Sequence, residues 1–231
     1  MAITALLLDA GGTLLCEKTS REAMYARAGT RRGLIVDSAT MRGCMGEAHR
    51  VLPLRVDGHW RYSKPWFEAF IADVFVRQLG MAPTALPSLQ EELFAAFADA
   101  NNFRLTPGAR ELLVNARARG CRLALVSNWS PSMSAILDGL GVLEHFDAVL
   151  ISALEQVEKP DRAIFERALA RLNVSPGEAL HAGNDPVQDV HGASECGIHA
   201  LLFDPEGRHA ALGLPGIREL AEIIPWIEKQ R

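Results

Sequence analysis

The sequence predicts an α/β protein: a doubly wound parallel-sheet (Rossmann-like) core carrying an inserted all-helical cap. Three observations carry that expectation. After Pro107 the chain alternates short apolar runs with helical stretches of about 10–15 residues, the pattern of βαβ crossovers. Those apolar runs are nearly continuous, as strands covered on both faces require. One further run, residues 3–8, stands apart at the N-terminus, and the long stretch that separates it from the others has helical periodicity. The expected division is therefore residues 1–15 and 106–231 as core, with 16–105 as cap.

Taken in order, Ile-Thr-Ala-Leu-Leu-Leu at 3–8 forms a buried strand, which Asp9 ends and Gly11-Gly12 turns. From Cys16 to Phe103 no clear strand interrupts the helical pattern. Ser20 opens one helix, and a second spans Ser38 to Val51. Lys64 to Leu79 carries Trp66, Phe67, Phe70, Ile71, Val74 and Phe75 at helical spacing until Gly80 stops it. Ser88 with Glu91 three residues on reads as a capping box for Leu89 to Asp99. Beyond Pro107 come helix 108–119, strand 122–126, helix 131–139, strand 147–151, helix 160–172, strand 178–182, helix 186–195, strand 198–203 and a closing helix 216–229.

The 231 residues are long for one compact core and short for two, which suits one domain with an insertion. Hydrophobic residues make up 48% and charged residues 23%, a globular rather than disordered composition. The net charge of −4 argues against a surface built to coat nucleic acid or an anionic membrane. The apolar run Ala5 to Leu8 is far too short to span a bilayer. Cys16, Cys44, Cys121 and Cys196 are scattered with no CxxC pair, so a reduced, cytoplasmic setting and no zinc site are expected.

Open α/β sheets bind ligands at the carboxyl ends of their strands. Four such ends carry polar residues here: Asp9-Ala-Gly-Gly-Thr13, Ser127-Asn128, Lys159-Pro160 at some distance after the third strand, and Gly183-Asn-Asp-Pro-Val-Gln-Asp189. A carboxylate, a hydroxyl, an ammonium and a second acidic cluster suit phosphoryl transfer. The carboxylate can attack phosphorus, and Mg²⁺ can bridge it to the phosphate while the other donors hold the remaining oxygens.

In those four motifs, and in their order, the chain resembles the haloacid dehalogenase (HAD) superfamily of hydrolases, in its subfamily IA branch with a helical cap after the first motif. The resemblance implies roles. Asp9 is the nucleophile that forms an aspartyl intermediate, and the Gly11 carbonyl is a metal ligand. Thr13, Ser127 and Asn128 bind the phosphate, and Lys159 neutralises both nucleophile and phosphate. Asn184, Asp185 and Asp189 hold Mg²⁺ with Asp9. It also implies a small-molecule, phosphorylated substrate and a monomer or homodimer.

Two positions depart from the phosphatases of that family. Gly11 stands where they resemble a second Asp that protonates the leaving oxygen and later activates water; a general acid or base contributes roughly 10²–10⁴-fold. Asn184 stands where an acidic residue is usual and brings no charge. The favoured expectation is a Mg²⁺-dependent phosphatase. Gly11 leaves open a metal-independent dehalogenase-like or phosphonate hydrolase, with Lys18 or Lys64 as candidate amines, or a weakened member kept for binding or regulation. Glu17, His49, His59 and Lys64 are cap residues that could replace the missing acid. Trp129 belongs at the site entrance, and His181 is expected to be packed rather than a ligand.

Overall fold

The computed structural model describes residues 2–229. Strand β1 (Ala5–Leu8) leads to a short strand β2 (Leu15–Glu17). The helical stretch follows: α1 (Arg21–Thr30), α2 (Ser38–Val51), a hairpin of β3 (Arg55–Val56) and β4 (His59–Trp60), α3 (Lys64–Ala72), which runs on as a wider π-helical turn to Gln78, and α4 (Leu86–Ala98). The chain then returns through β5 (Phe103–Leu105) and continues as α5 (Ala109–Ala118), β6 (Arg122–Ser127), α6 (Met133–Gly139), β7 (Ala148–Ile151), α7 (Ser152–Glu155), α8 (Arg162–Leu172), β8 (Ala179–Gly183), a π-turn at 186–191, α9 (Gly192–Glu195), β9 (His199–Phe203), β10 (Gly216–Ile217) and α10 (Ile223–Lys229).

Six strands make one parallel sheet in the order β10-β9-β8-β1-β6-β7. The period of two along a strand divides its side chains between two layers. Leu6 and Leu8 of β1, with Leu123 and Leu125 of β6, pack on α5, α6 and α10, whereas Ala5, Leu7, Ala124 and Val126 pack on α8 and α9. Connections run to opposite sides of β1, so the crevice of the switch point opens at the end of β1, beside Asp9.

The helical stretch has its own core, with Trp66, Phe70 and Phe75 buried against Tyr25, Met41 and Leu89. Its two ends are tied together by the antiparallel pair β2–β5 (Leu15 with Leu105, Glu17 with Phe103), which fixes where the chain leaves and rejoins the sheet layer.

Three local expectations change. The stretch contains the β3–β4 hairpin, turned by Asp57-Gly58, both at positive φ (48° and 79°), a two-residue turn whose Asp-Gly signal is readable in the sequence. Ser88 is not a cap: the helix begins at Leu86 with Pro87 in its first turn, and the Ser88 hydroxyl donates to the Ala85 carbonyl at 3.2 Å and accepts from Arg32. The closing helix begins at Ile223 rather than 216. Gly216 and Ile217 instead extend the sheet, pairing with Leu202 and Phe203.

Candidate active site

Sheet geometry brings three strand ends to one point. Asp9 follows β1, Ser127 ends β6, and Gly183 ends β8, with β1 paired to both neighbours. The Asp9 N–H continues the ladder by donating to the Ala182 carbonyl at 3.0 Å, so the Asp9 backbone is held by the sheet itself. The residue is 6% exposed, and Oδ1 accepts from Lys159 Nζ at 2.7 Å. Lys159, 3% exposed, donates also to Asp189 Oδ1 at 2.5 Å.

Asp189, 1% exposed, uses both oxygens: Oδ1 meets Lys159 and His181 Nε2 (3.1 Å), and Oδ2 accepts the Asp185 N–H at 2.9 Å. Gly183 makes this possible, since a Cβ there would lie 2.1 Å from the Asp189 Cγ. Asp189 therefore braces the lysine and the loop, and offers no unengaged oxygen to a metal.

Two carboxylates flanking one ammonium are not equivalent. Burial pushes the Asp9 carboxyl above its ordinary 3.8; Lys159 opposes the rise and the nearby Asp189 adds to it. Burial works against the Asp189 carboxylate too, but Lys159 and His181 outweigh it and hold that carboxyl well below the ordinary range. Burial likewise disfavours the Lys159 ammonium, and the two carboxylates overcome it and raise its pKa. The result is a firmly charged Asp189–Lys159 pair and a less comfortable Asp9 beside it.

The other expected residues divide by task. Asp9, Gly11, Ser127, Asn128, Lys159, Asn184, Asp185 and Asp189 all line one polar cavity of about 130 Å³. Ser127 is buried at its wall. Asn128 spends its amide on the main chain of Lys159, accepting the N–H at 2.8 Å and donating to the carbonyl at 2.9 Å, and donates to Gln188 as well. It positions the lysine. Thr13 is fully buried outside the cavity lining, and its hydroxyl reaches Asn184 Oδ1 at 3.4 Å, so it touches the site through Asn184. Asp185 Oδ1 caps the turn by accepting the Val187 and Gln188 N–H groups, both at 2.8 Å. His181 is buried and paired, as expected of a packed residue.

The donor chemistry fits a hard cation. The cavity offers the Asp9 and Asp185 carboxylates and the Asn184 amide, with no thiolate or imidazole on its wall. Among the described residues no cluster of three or more His, Cys, Asp or Glu could hold a metal alone. Mg²⁺ asks for less, usually one or two carboxylates, with substrate oxygens and waters completing its shell.

Gly11 is the site's largest departure, and packing shows what fills the space. A Cβ at Gly11 would lie 2.8 Å from Trp129 Cζ3 and 3.4 Å from Arg21 Nη2. The Arg21 guanidinium lies over the Trp129 ring, 4.6 Å from its centroid, while its Nε donates to Glu17 at 2.6 Å. Glu17 is thus occupied by Arg21, His49 by the Tyr62 hydroxyl at 3.1 Å, and Lys64 lies over Phe94 at 5.5 Å; His59 is exposed on the hairpin. Arg21 is the residue that sequence reasoning missed. It belongs to α1, and only the β2–β5 tie, which draws the start of α1 against Trp129, makes it part of the cavity wall.

A second cavity, of about 590 Å³, lies within the helical stretch and opens beside the first; Arg21, Asn128 and Trp129 line both. Its wall carries the expected aromatic stripe, with Trp66 and Phe70 stacked at 5.4 Å.

Comparison with known proteins agrees with this geometry. The family profile "haloacid dehalogenase-like hydrolase" matches residues 3–197. The chain is 28% identical over 238 residues to human haloacid dehalogenase-like hydrolase domain-containing protein 3, covering 99% of this chain and 95% of that one. It is 33% identical over 218 residues to a phosphoserine phosphatase of Thermus thermophilus, covering 86% and 88%. The crystal structure of the HAD-hydrolase YfnB from Bacillus subtilis, bound to magnesium, superposes with a TM-score of 0.76 at 18% identity over 98% and 99% of the two chains.

Proposed function

The chain belongs to the haloacid dehalogenase-like hydrolases, and from that premise we propose that it is a Mg²⁺-dependent phosphatase of a small phosphorylated substrate, working through an aspartyl-phosphate on Asp9. The observation that carries this reading is the buried Asp9–Lys159 pair on the wall of a polar cavity completed by Ser127, Asn184 and Asp185. Lys159 holds Oδ1, which leaves Oδ2 to attack phosphorus in line. The Ser127 hydroxyl and the Lys159 ammonium take charge off the transferring oxygens. Asp9, the Gly11 carbonyl, Asn184 and Asp185 would hold the Mg²⁺, with Asp189 behind them; bound there, the metal supplies charge neutralisation at the phosphate. The Thermus phosphatase and the magnesium-bound Bacillus protein support the substrate class and the metal.

Residues 16–105 act in this reading as a cap that closes over the cavity and excludes water. One copy of the chain carries the whole site, whether it works as monomer or homodimer. Among the described residues no helix is long and apolar enough to cross a membrane. Assay against a panel of phosphorylated metabolites with Mg²⁺ tests the reading: phosphate is released, a chelator stops it, and Asp9→Asn abolishes it. No release across a broad panel with the metal present would sink it.

The packing at Gly11 favours a second reading, in which the leaving group needs no proton at all. A metal-independent dehalogenase would release chloride from a 2-haloacid in the presence of a chelator. A phosphonate hydrolase would give a borohydride-trapped Schiff base on Lys18 or on Lys64, the latter on the wall of the larger cavity. An efficient wild-type enzyme of either kind ends the third possibility, a fold kept for binding or regulation alone.

A further inference from the structure

Resting on the phosphatase reading above, we propose that the substrate is an aryl phosphate: its phosphoryl group sits in the polar cavity, its apolar ring system in the 590 Å³ cavity of the helical stretch, and its oxygen departs as an aryl oxide beside Arg21.

Three independent observations converge on that class. The first is the missing proton donor. Gly11 has no side chain to give a proton, and the Trp129 ring fills the space that one would take. Arg21, the cation that lies there instead, cannot give up a proton; it can only donate hydrogen bonds to an anion. An alkanol leaves badly without a proton, because its pKa is near water's value of about 16. A phenol, with a pKa of about 10, leaves as its oxide. The second is the wall of the larger cavity, which Tyr25, Phe67, Phe70, Phe94 and Phe97 line with the fully buried Trp66 packed among them. Its volume lies within the usual range of ligand pockets, about 300–1,000 Å³, far more than a compact sugar or amino-acid phosphate fills. The third is continuity. Arg21, Asn128 and Trp129 line both cavities, so a substrate can span them with its scissile bond at the junction. The Arg21 Nε is held by Glu17, which aims its Nη nitrogens past the Trp129 ring toward the position a Gly11 side chain would take.

The chemistry balances without an added reagent. Asp9 Oδ2 forms a bond to phosphorus, the P–O(aryl) bond breaks, and its electron pair stays on the aryl oxide, which takes a proton from solvent after release. Water then attacks the acyl phosphate, giving inorganic phosphate, the Asp9 carboxylate and a proton. The leaving group excuses the first step from its acid, but nothing excuses the second step from its base. Hydrolysis of the aspartyl-phosphate therefore limits kcat, and kcat/KM reports the first step.

Four probes with Mg²⁺ test this: 1-naphthyl phosphate, a series of para-substituted phenyl phosphates, 2-phenylethyl phosphate as the same ring on an alkanol, and acetyl phosphate as a stabilised leaving group with no ring. The expected kcat/KM for 1-naphthyl phosphate exceeds that for 2-phenylethyl phosphate by about 10²–10⁴-fold, the contribution of the absent acid. A burst of naphthol precedes the steady state. Along the phenyl series kcat/KM rises as the phenol becomes more acidic, and Arg21→Met steepens that dependence. Gly46, exposed at the cavity rim on α2 with open space at its Cβ position, allows a fold-preserving block, because replacing a helix-interior glycine favours the helix. Gly46→Phe should raise the KM for 1-naphthyl phosphate at least about tenfold, the scale of losing one good apolar contact, and leave acetyl phosphate unchanged. Equal kcat/KM for the naphthyl and phenylethyl esters, or an unmoved naphthyl KM in Gly46→Phe, overturns the aryl assignment alone. Absence of phosphate release from every probe, acetyl phosphate included, overturns the phosphatase reading beneath it.

Discussion

The two cavities that meet at Trp129 are built by opposite means. The polar one is assembled from strand ends, and its walls are backbone-anchored charges: Asp9 held by the sheet, Lys159 held through Asn128, Asp189 tucked against Gly183. The apolar one is assembled from side chains of α1 to α4, and its walls are rings packed on rings. Charges in a low-dielectric site are costly to leave unpaired, so the first cavity, Asp9 apart, loses stability when a charged residue is replaced. Rings exchange one apolar surface for another, so the second can be reshaped at modest cost. The difference teaches where chemistry and where selection reside in this molecule.

The largest expected effect falls on the polar side. Asp9→Asn should reduce phosphate release by at least about 10⁴-fold, because no other carboxylate in the cavity can form the covalent intermediate: Asp189 has both oxygens engaged and Asp185 caps its own turn. Stability should barely move, within about 1 kcal/mol, since burial and Asp189 already disfavour the ionised Asp9 and Lys159 keeps its stronger partner. Steady-state assays and urea unfolding on the same preparation check both halves. Residual activity above a hundredth of wild type would remove Asp9 from its role.

Next comes Asp189→Asn, where the order reverses. Asp189 neutralises a buried ammonium, accepts from buried His181 and ties down the Asp185 N–H. Breaking such a pair costs about 3–5 kcal/mol, far more than the Asp9 substitution, and shows as a lower urea midpoint. A pair of variants with equal stability would erase the distinction drawn here between the two carboxylates.

What the sequence disclosed follows the same division. The strands at 3–8, 122–126 and 178–182 were legible because doubly covered strands are apolar throughout, and Asp9, Ser127 and Lys159 were legible because polar residues at strand ends stand out against them. The β10 strand was not, since two residues carry no period, and Ser88 misled because a capping pattern can recur inside a helix that Pro87 has already started. Arg21 and the larger cavity were invisible for a different reason. An apolar helix face reads alike whether it packs on a neighbour or lines a hollow, and Arg21 reaches the site through the β2–β5 tie, a contact between residues 15–17 and 103–105 that no local pattern encodes.

A smaller effect tests the boundary itself. Gly11→Asp, which would supply the absent acid, meets the Trp129 ring at its Cβ. The expected result is a loss of about 1–3 kcal/mol in stability from overpacking and no gain on alkyl phosphates. A gain of about a hundredfold, the low end for a working general acid, would mean that Trp129 yields easily and that the junction is not closed in the way described.

The smallest effect lies where the two regions are pinned together. The β3–β4 hairpin reaches the loop that carries Lys159 through Arg55 on Gln156 (2.9 Å) and Arg61 on Glu158 (3.2 Å). Burial pushes the Glu158 carboxyl above its ordinary 4.5, with Arg61 only partly opposing it, and its Oε2 is buried without a partner among the described residues. The fold therefore favours the protonated form. Relative to a free glutamate, Glu158 adds stability below pH 4.5, and that contribution is lost as pH rises through its higher folded value. At neutral pH the ionised carboxylate is a small liability. Glu158→Gln, neutral at every pH and still able to accept from Arg61, should gain a few tenths to about 1 kcal/mol at pH 7.5, the scale of a single ion pair near the surface. The gain should vanish at pH 4.5, with metal-free protein unfolded by urea at both values. A loss at pH 7.5, undiminished at pH 4.5, would mean that the Arg61–Glu158 pair is a net clamp between the two regions, and that the apolar cavity is held to the polar one by charge rather than by the Trp129 junction.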